Sequence, residues 1–160
     1  MIAPVTDEQV AALRAFLMRD ARTMMALTAA LGDEGMAGYQ RLADAALSVA
    51  AVRRFAPRFT SSDIVQYVAS VRTSRIADGI EYDFDPVAAE NVLRYSLGQA
   101  APRTPDPEER FRAVISLLEA LTESEQSTET DVDAFLAQAR ELASRWSAND
   151  QLQHPSAPGR

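Results

Sequence analysis

Apolar residues recur along this chain at intervals of three and four, and no stretch reads as a convincing strand. The spacing predicts six helices. The first runs from about Asp7 to Leu31, with Val10, Leu13, Phe16, Met24, Leu27 and Leu31 on one stripe. Thr6 and Gln9 form a capping box at its start, and Gly32 stops it. Its opposite side is also apolar, lined by Ala11, Ala15, Met18, Met25 and Ala29. A helix apolar on two sides is either central in its fold or half of a dimer interface. Asp20 falls on the main stripe and is the candidate buried polar residue, since a carboxylate there must be paired or hydrogen-bonded.

The second helix runs from about Glu34 to Phe55. Its alanine-rich face carries Tyr39, Leu42, Ala43, Ala46, Leu47 and Ala50, with Gln40, Arg41, Asp44 and Ser48 opposite. Pro57 ends it. The third, Ser61 to Thr73, is capped by Thr60 with Asp63 and faces Ile64, Tyr67, Val68 and Val71 inward. The fourth opens on Asp85 and Pro86 and stops at Gly98; the fifth opens on Asp106 and Pro107. In the fifth, Val114, Leu117, Leu118 and Leu121 belong to the strongest apolar face in the chain. Thr130 and Asp133 open the sixth, whose stripe includes Val132, Phe135, Leu136, Ala139 and Trp146.

The expected architecture is all-α: one domain over residues 1–148. Four helices occupy 6–98, a Pro-containing linker spans 99–106, and an antiparallel helical hairpin closes the fold at 107–147. A disordered tail follows at 149–160.

Composition narrows the chemistry. At 160 residues the chain is long enough to bury a core without a disulfide or metal staple. It has no cysteine, which removes disulfides and thiol nucleophiles. All 16 basic residues are arginine, the pattern of a GC-rich genome, and the lack of lysine removes P-loop and Schiff-base chemistry. The single histidine, His154, lies in a Pro-containing tail, a poor place for a triad. No catalytic residue, metal site or cofactor is expected. No basic leader precedes an apolar run, and no membrane segment is visible, which fits a cytoplasmic protein.

The net charge of −7 is uneven. Residues 1–103 hold 11 Arg against 12 acids, and residues 104–150 hold 4 Arg against 11 acids. That balance argues against nucleic-acid binding by the whole surface. One basic cluster stands out: Arg53, Arg54, Arg58, Arg72 and Arg75, interleaved with Phe55, Phe59 and Tyr67. Arginine forks bind phosphate and carboxylate, and rings stack on bases. Four of these arginines also lie near helix C-termini, where a cation is favourable without a partner. Residues 34–75 can be drawn as a helix-turn-helix-like unit, with Ser61, Ser62, Gln66 and Arg72 as readers of DNA, although the turn carries Pro in place of Gly. The acids Asp78, Glu81, Asp83 and Asp85 lack the EF-hand pattern and read as a solvated loop.

The leading expectation is a non-enzymatic helical protein-interaction module that self-associates as a homodimer. The alternatives are a DNA-binding regulator using residues 34–75, and a small-ligand or anion-binding pocket using Asp20, Tyr39, Tyr67 and arginines.

Overall fold

A computed structural model describes residues 3–79, 84–99, 106–123 and 128–153. Every regular element among them is an α-helix: α1 (Asp7–Leu17), α2 (Ala21–Phe55), α3 (Ser61–Ala77), α4 (Pro86–Ser96), α5 (Pro107–Glu123) and α6 (Glu129–Gln153). The all-α expectation holds. By contact the chain groups into two compact units, Met1–Ala46 with Ser127–Arg160, and Leu47–Gln126. The two helices expected as a hairpin are shared between them. In the first unit α6 packs on α1, and in the second α5 packs on α4.

In the first unit, α1 opens on the expected capping box. The Thr6 hydroxyl accepts from the Gln9 N–H at 3.3 Å, and Gln9 Oε1 accepts from the Thr6 N–H at 2.9 Å. The Gln9 carboxamide also reaches α2, where its Nε2 donates to the Gly35 carbonyl at 2.9 Å. The single helix expected over 7–31 is corrected: α1 stops at Leu17. Arg19 takes a left-handed φ of 59°, and the Asp20 and Arg19 N–H groups donate back to Ala15 and Phe16 carbonyls at 2.9 and 3.1 Å. This is a Schellman closure with arginine in the position glycine usually holds.

Asp20 then caps α2, accepting from the Thr23 N–H on Oδ1 at 3.2 Å and from the Met24 N–H on its carbonyl at 2.9 Å. Gly32 does break the helical path as expected, with φ 69° and ψ −178°, but helix resumes at once and α2 continues to Phe55. That backbone region is essentially open to glycine alone.

The cap of α6 lies one pair earlier than expected. Thr128 and Asp131 form it, with the Thr128 hydroxyl accepting from the Asp131 N–H at 3.2 Å. Asp133 instead accepts from Arg14 Nε at 2.8 Å. Arg140 donates to Asp7 at 2.7 Å and to the Val5 carbonyl at 2.9 Å, and Arg41 donates to the Ala3 carbonyl at 2.8 Å. Solvent-exposed pairs of this kind contribute little singly. Together they tie α1 and the segment before it to α6 and α2. Helix α6 runs past the end expected at 147 to Gln153, so the first five residues of the tail expected to be disordered, 149–153, are helical, and 154–160 lie outside the described residues.

In the second unit, α3 is a turn longer than Ser61–Thr73 and buries Ile64, Val68 and Val71. Helix α4 opens as expected, with Asp85 Oδ1 accepting from the Val87 N–H at 3.0 Å, and Gly98 turns left-handed after it. Helix α5 buries Val114, Leu117, Leu118 and Leu121. Phe84 is buried ahead of α4, whereas residues 80–83 of the acidic loop lie outside the described residues, as does the linker core 100–105. Ser48, expected on the polar face of its helix, is buried and donates to the Ser96 carbonyl at 3.0 Å. Alanine at 51, three residues on along the same face, leaves room for α4 to approach closely enough to make that bond. No helix among the described residues is long and apolar enough to cross a membrane.

Candidate functional site

The arginine–aromatic cluster assembles in part. Phe55, the last residue of α2, is 7% exposed and sits edge-on to Tyr67 of α3 and to Phe59 in the turn, with ring centroids 5.4 and 6.4 Å away. The Arg54 guanidinium lies 5.6 Å from the Phe55 ring centre and 5.5 Å from that of Tyr67. Cation–π attraction holds it there, and its location at the helix C-terminus favours the charge further. Phe59 and Tyr67 are half-buried, and Arg54 and Arg58 are exposed.

Arg75 separates from this group in its partner. Arg75 donates from Nη1 to Glu119 of α5 at 3.3 Å, and its Nε is buried without a hydrogen-bond partner. It is a bridge between helices of the second unit. Arg53 and Arg72 each hold an interaction of their own. Of the five basic residues, Arg54 is stacked, Arg75 is in an internal ion pair, Arg58 is exposed, and Arg53 and Arg72 are engaged as well. Two of the proposed DNA readers contact each other: Gln66 Nε2 donates to the Ser62 hydroxyl at 3.2 Å.

Asp20 is corrected outright. It is exposed, and it serves as the helix cap described above. The Thr23 hydroxyl and N–H hold its carboxyl below the ordinary carboxylate range. The stripe that placed it inside a helix crosses a corner in the backbone instead. Within the acidic loop, Asp85 is a cap, while Glu81 and Asp83 lie outside the described residues. Among the described residues no three His, Cys, Asp or Glu side chains converge to hold a metal.

Tyr39 and Tyr67, the phenols of the pocket reading, do not share a unit. Burial pushes both up to about 12; for Tyr67 the nearby Arg54 charge partly opposes it. A phenol raised in the folded state favours the neutral form, so its contribution is intact below the unfolded value near 10. It is lost as pH climbs from 10 to about 12. Stability measured by denaturant titration across that window is therefore expected to fall, and Tyr39→Phe is expected to make the fall shallower. An unchanged slope in Tyr39→Phe would show that this phenol stays protonated to no greater pH than a free one.

The chain holds a second site-like feature, less visible in sequence. From Phe16 to Ala37 no residue is buried. Leu17, Met18, Met24, Leu27 and Leu31 are half-buried at most, and Met25 is 66% exposed. Isolated exposed apolar residues are ordinary, and Val65, Ile76 and Val87 elsewhere are of that kind. A run of this length is different, because Phe16, Leu17, Met18, Met24, Met25, Leu27 and Leu31 all keep part of their surface uncovered within one stretch. Two signals pointed to it: the two-sided apolar pattern, and the placing of four of the five methionines at 18, 24, 25 and 36. Methionine is adaptable and recurs at binding surfaces. The polar residues at the ends of this stretch, Arg22, Asp33 and Glu34, were not singled out by sequence and are all exposed.

No family model matches this chain, and neither a curated protein nor a solved structure similar to it is found.

Proposed function

We propose that this chain is a non-enzymatic helical protein-interaction module that self-associates through the stretch Phe16–Ala37. The observation that carries this reading is the 22-residue run without a buried residue, in a chain whose other helices bury their apolar faces. Covering the exposed Met25 and the alanines around it supplies the driving force for association. The arginine cluster offers less to a nucleic-acid reading, because Arg54 and Arg75 are engaged within the second unit.

Light scattering on the purified chain tests the proposal. The mass is expected to rise above that of one chain as concentration reaches about 100 μM, the range of a weak specific contact. Met25→Asp is expected to abolish the rise while leaving the unfolding midpoint close to that of the parent, since surface changes stay within about 0.5 kcal/mol. A mass that stays at one chain throughout refutes self-association.

A further inference from the structure

The first segment of α2, Ala21–Leu31, is an arm with two unlike faces. Met24, Leu27, Thr28 and Leu31 lie on one side at helical spacing and are half-buried. Arg22, Met25, Ala26, Ala29 and Ala30 lie on the other and are exposed. The centre of this outer face is small: Ala26 and Ala29 have no side chain beyond Cβ, so a second helix could approach closely across it. Its two ends differ in charge. Arg22 stands at the N-terminal end, and Asp33 and Glu34 follow Gly32 at the C-terminal end. All three are exposed, and no ion pair among the described residues engages them.

Building on the self-association proposed above, we infer that the outer face of this arm pairs with the same face of a second copy, antiparallel, about a two-fold axis passing between Ala26 and Ala29. Opposite charges at the two ends make the arm complementary to itself only in that direction. Antiparallel pairing sets Arg22 of each copy against the Asp33–Glu34 end of the other, whereas parallel pairing sets like charges together. A two-fold contact is isologous, so each complementary pair occurs twice. The same register brings Ala26 opposite Ala29, and Met25 packs beside that close approach. Asp20 lies at the basic end, but its carboxylate is occupied by the Thr23 N–H. The arm is about 16 Å long, so the contact is at the small end of specific interfaces and the dimer is weak.

The charges and the direction are tested separately. Arg22→Glu is expected to weaken self-association about tenfold, as attraction at both ends becomes repulsion. Adding Asp33→Arg and Glu34→Arg to it is expected to restore the parent affinity, and both the loss and the rescue should shrink in high salt. The absence of native cysteine allows direction to be read by cross-linking. Ala29→Cys is expected to cross-link to itself with a short bismaleimide. Arg22→Cys is expected not to, since its partner copy lies about 16 Å away along the axis. Arg22→Cys mixed with Asp33→Cys is expected to cross-link. Equal self-cross-linking at positions 22 and 29, or an association indifferent to Arg22→Glu, overturns the antiparallel pairing while self-association stands. A chain that remains single at every concentration overturns the underlying reading instead.

Discussion

Phe55→Ala is expected to cost about 3–4 kcal/mol of unfolding free energy, the largest effect of any single substitution near the aromatic cluster. The ring is almost fully buried and forms the centre of a three-ring contact, with Tyr67 and Phe59 both edge-on to it. Truncation removes the transfer energy of the ring and leaves a cavity that α3 and the turn fill only by shifting. It also removes two aromatic contacts, each worth about 0.5–1.5 kcal/mol beyond area. Phe59→Ala should cost far less, because Phe59 is half-buried and touches the cluster from one side. A second readout separates local from global damage. With Phe55 gone, water reaches the Tyr67 phenol, and its titration followed by tyrosinate absorbance should move down from about 12 toward the ordinary 10. A loss below about 1 kcal/mol would show that the three rings do not form a packed unit.

Gly38→Ala is expected to destabilise by about 2–3 kcal/mol, against the usual direction for a glycine inside a helix. Replacing a helical glycine by alanine normally gains roughly 0.5–1 kcal/mol. Here an added Cβ would run into the Gln9 carboxamide, with the Gln9 Cδ and Oε1 each at 2.7 Å. Gln9 is 4% exposed and holds two bonds at once, from the Thr6 N–H and to the Gly35 carbonyl. Displacing it breaks both of those part-buried hydrogen bonds, which costs about 1–3 kcal/mol, and leaving it in place costs about as much in crowding. The mechanism predicts a sign reversal. In a Gln9→Ala background the obstacle is gone, and Gly38→Ala should then stabilise by about 0.5–1 kcal/mol. Denaturant midpoints for the four members of this cycle measure the coupling directly. Equal effects in both backgrounds would mean that Gln9 is not what excludes a side chain at 38.

The elements that sequence foretold are those whose signals are local. Thr6 with Gln9 and Thr60 with Asp63 cap the helices that follow, and Pro86 and Pro107 open theirs. Gly32 and Gly98 bend the chain where glycine is needed. The corner at Met18–Asp20 gave no such signal, because arginine occupies the left-handed position. An uninterrupted apolar stripe on either side of it then reads as one helix, and Asp20 reads as buried.

Long-range pairings were equally hidden. The run Thr128–Glu129–Thr130–Asp131–Val132–Asp133 offers two overlapping caps, Thr128 with Asp131 and Thr130 with Asp133. The choice falls to the first, and Asp133 goes to Arg14, distant in sequence. Arg75 could be read as a free helix-end cation until Glu119 of α5 is placed beside it. Of the candidate surface, the apolar content of the arm was legible from its periodicity. Its exposure was not, since periodicity records that a face is apolar and not whether anything covers it.

The corner before α2 bears on how tightly the arm can bind. The N–H of Asp20 closes α1, and its side chain and carbonyl open α2, so one residue serves two helix ends with no intervening linker. A surface segment that must order itself on binding forfeits roughly 1–2 kcal/mol per residue in backbone entropy. Here the arm is already helical and its entry angle is set by hydrogen bonds, so that cost is met during folding and not at the interface. Small interfaces become specific when little is lost in forming them. An arm of eleven residues held in this way enters any contact already in its final shape.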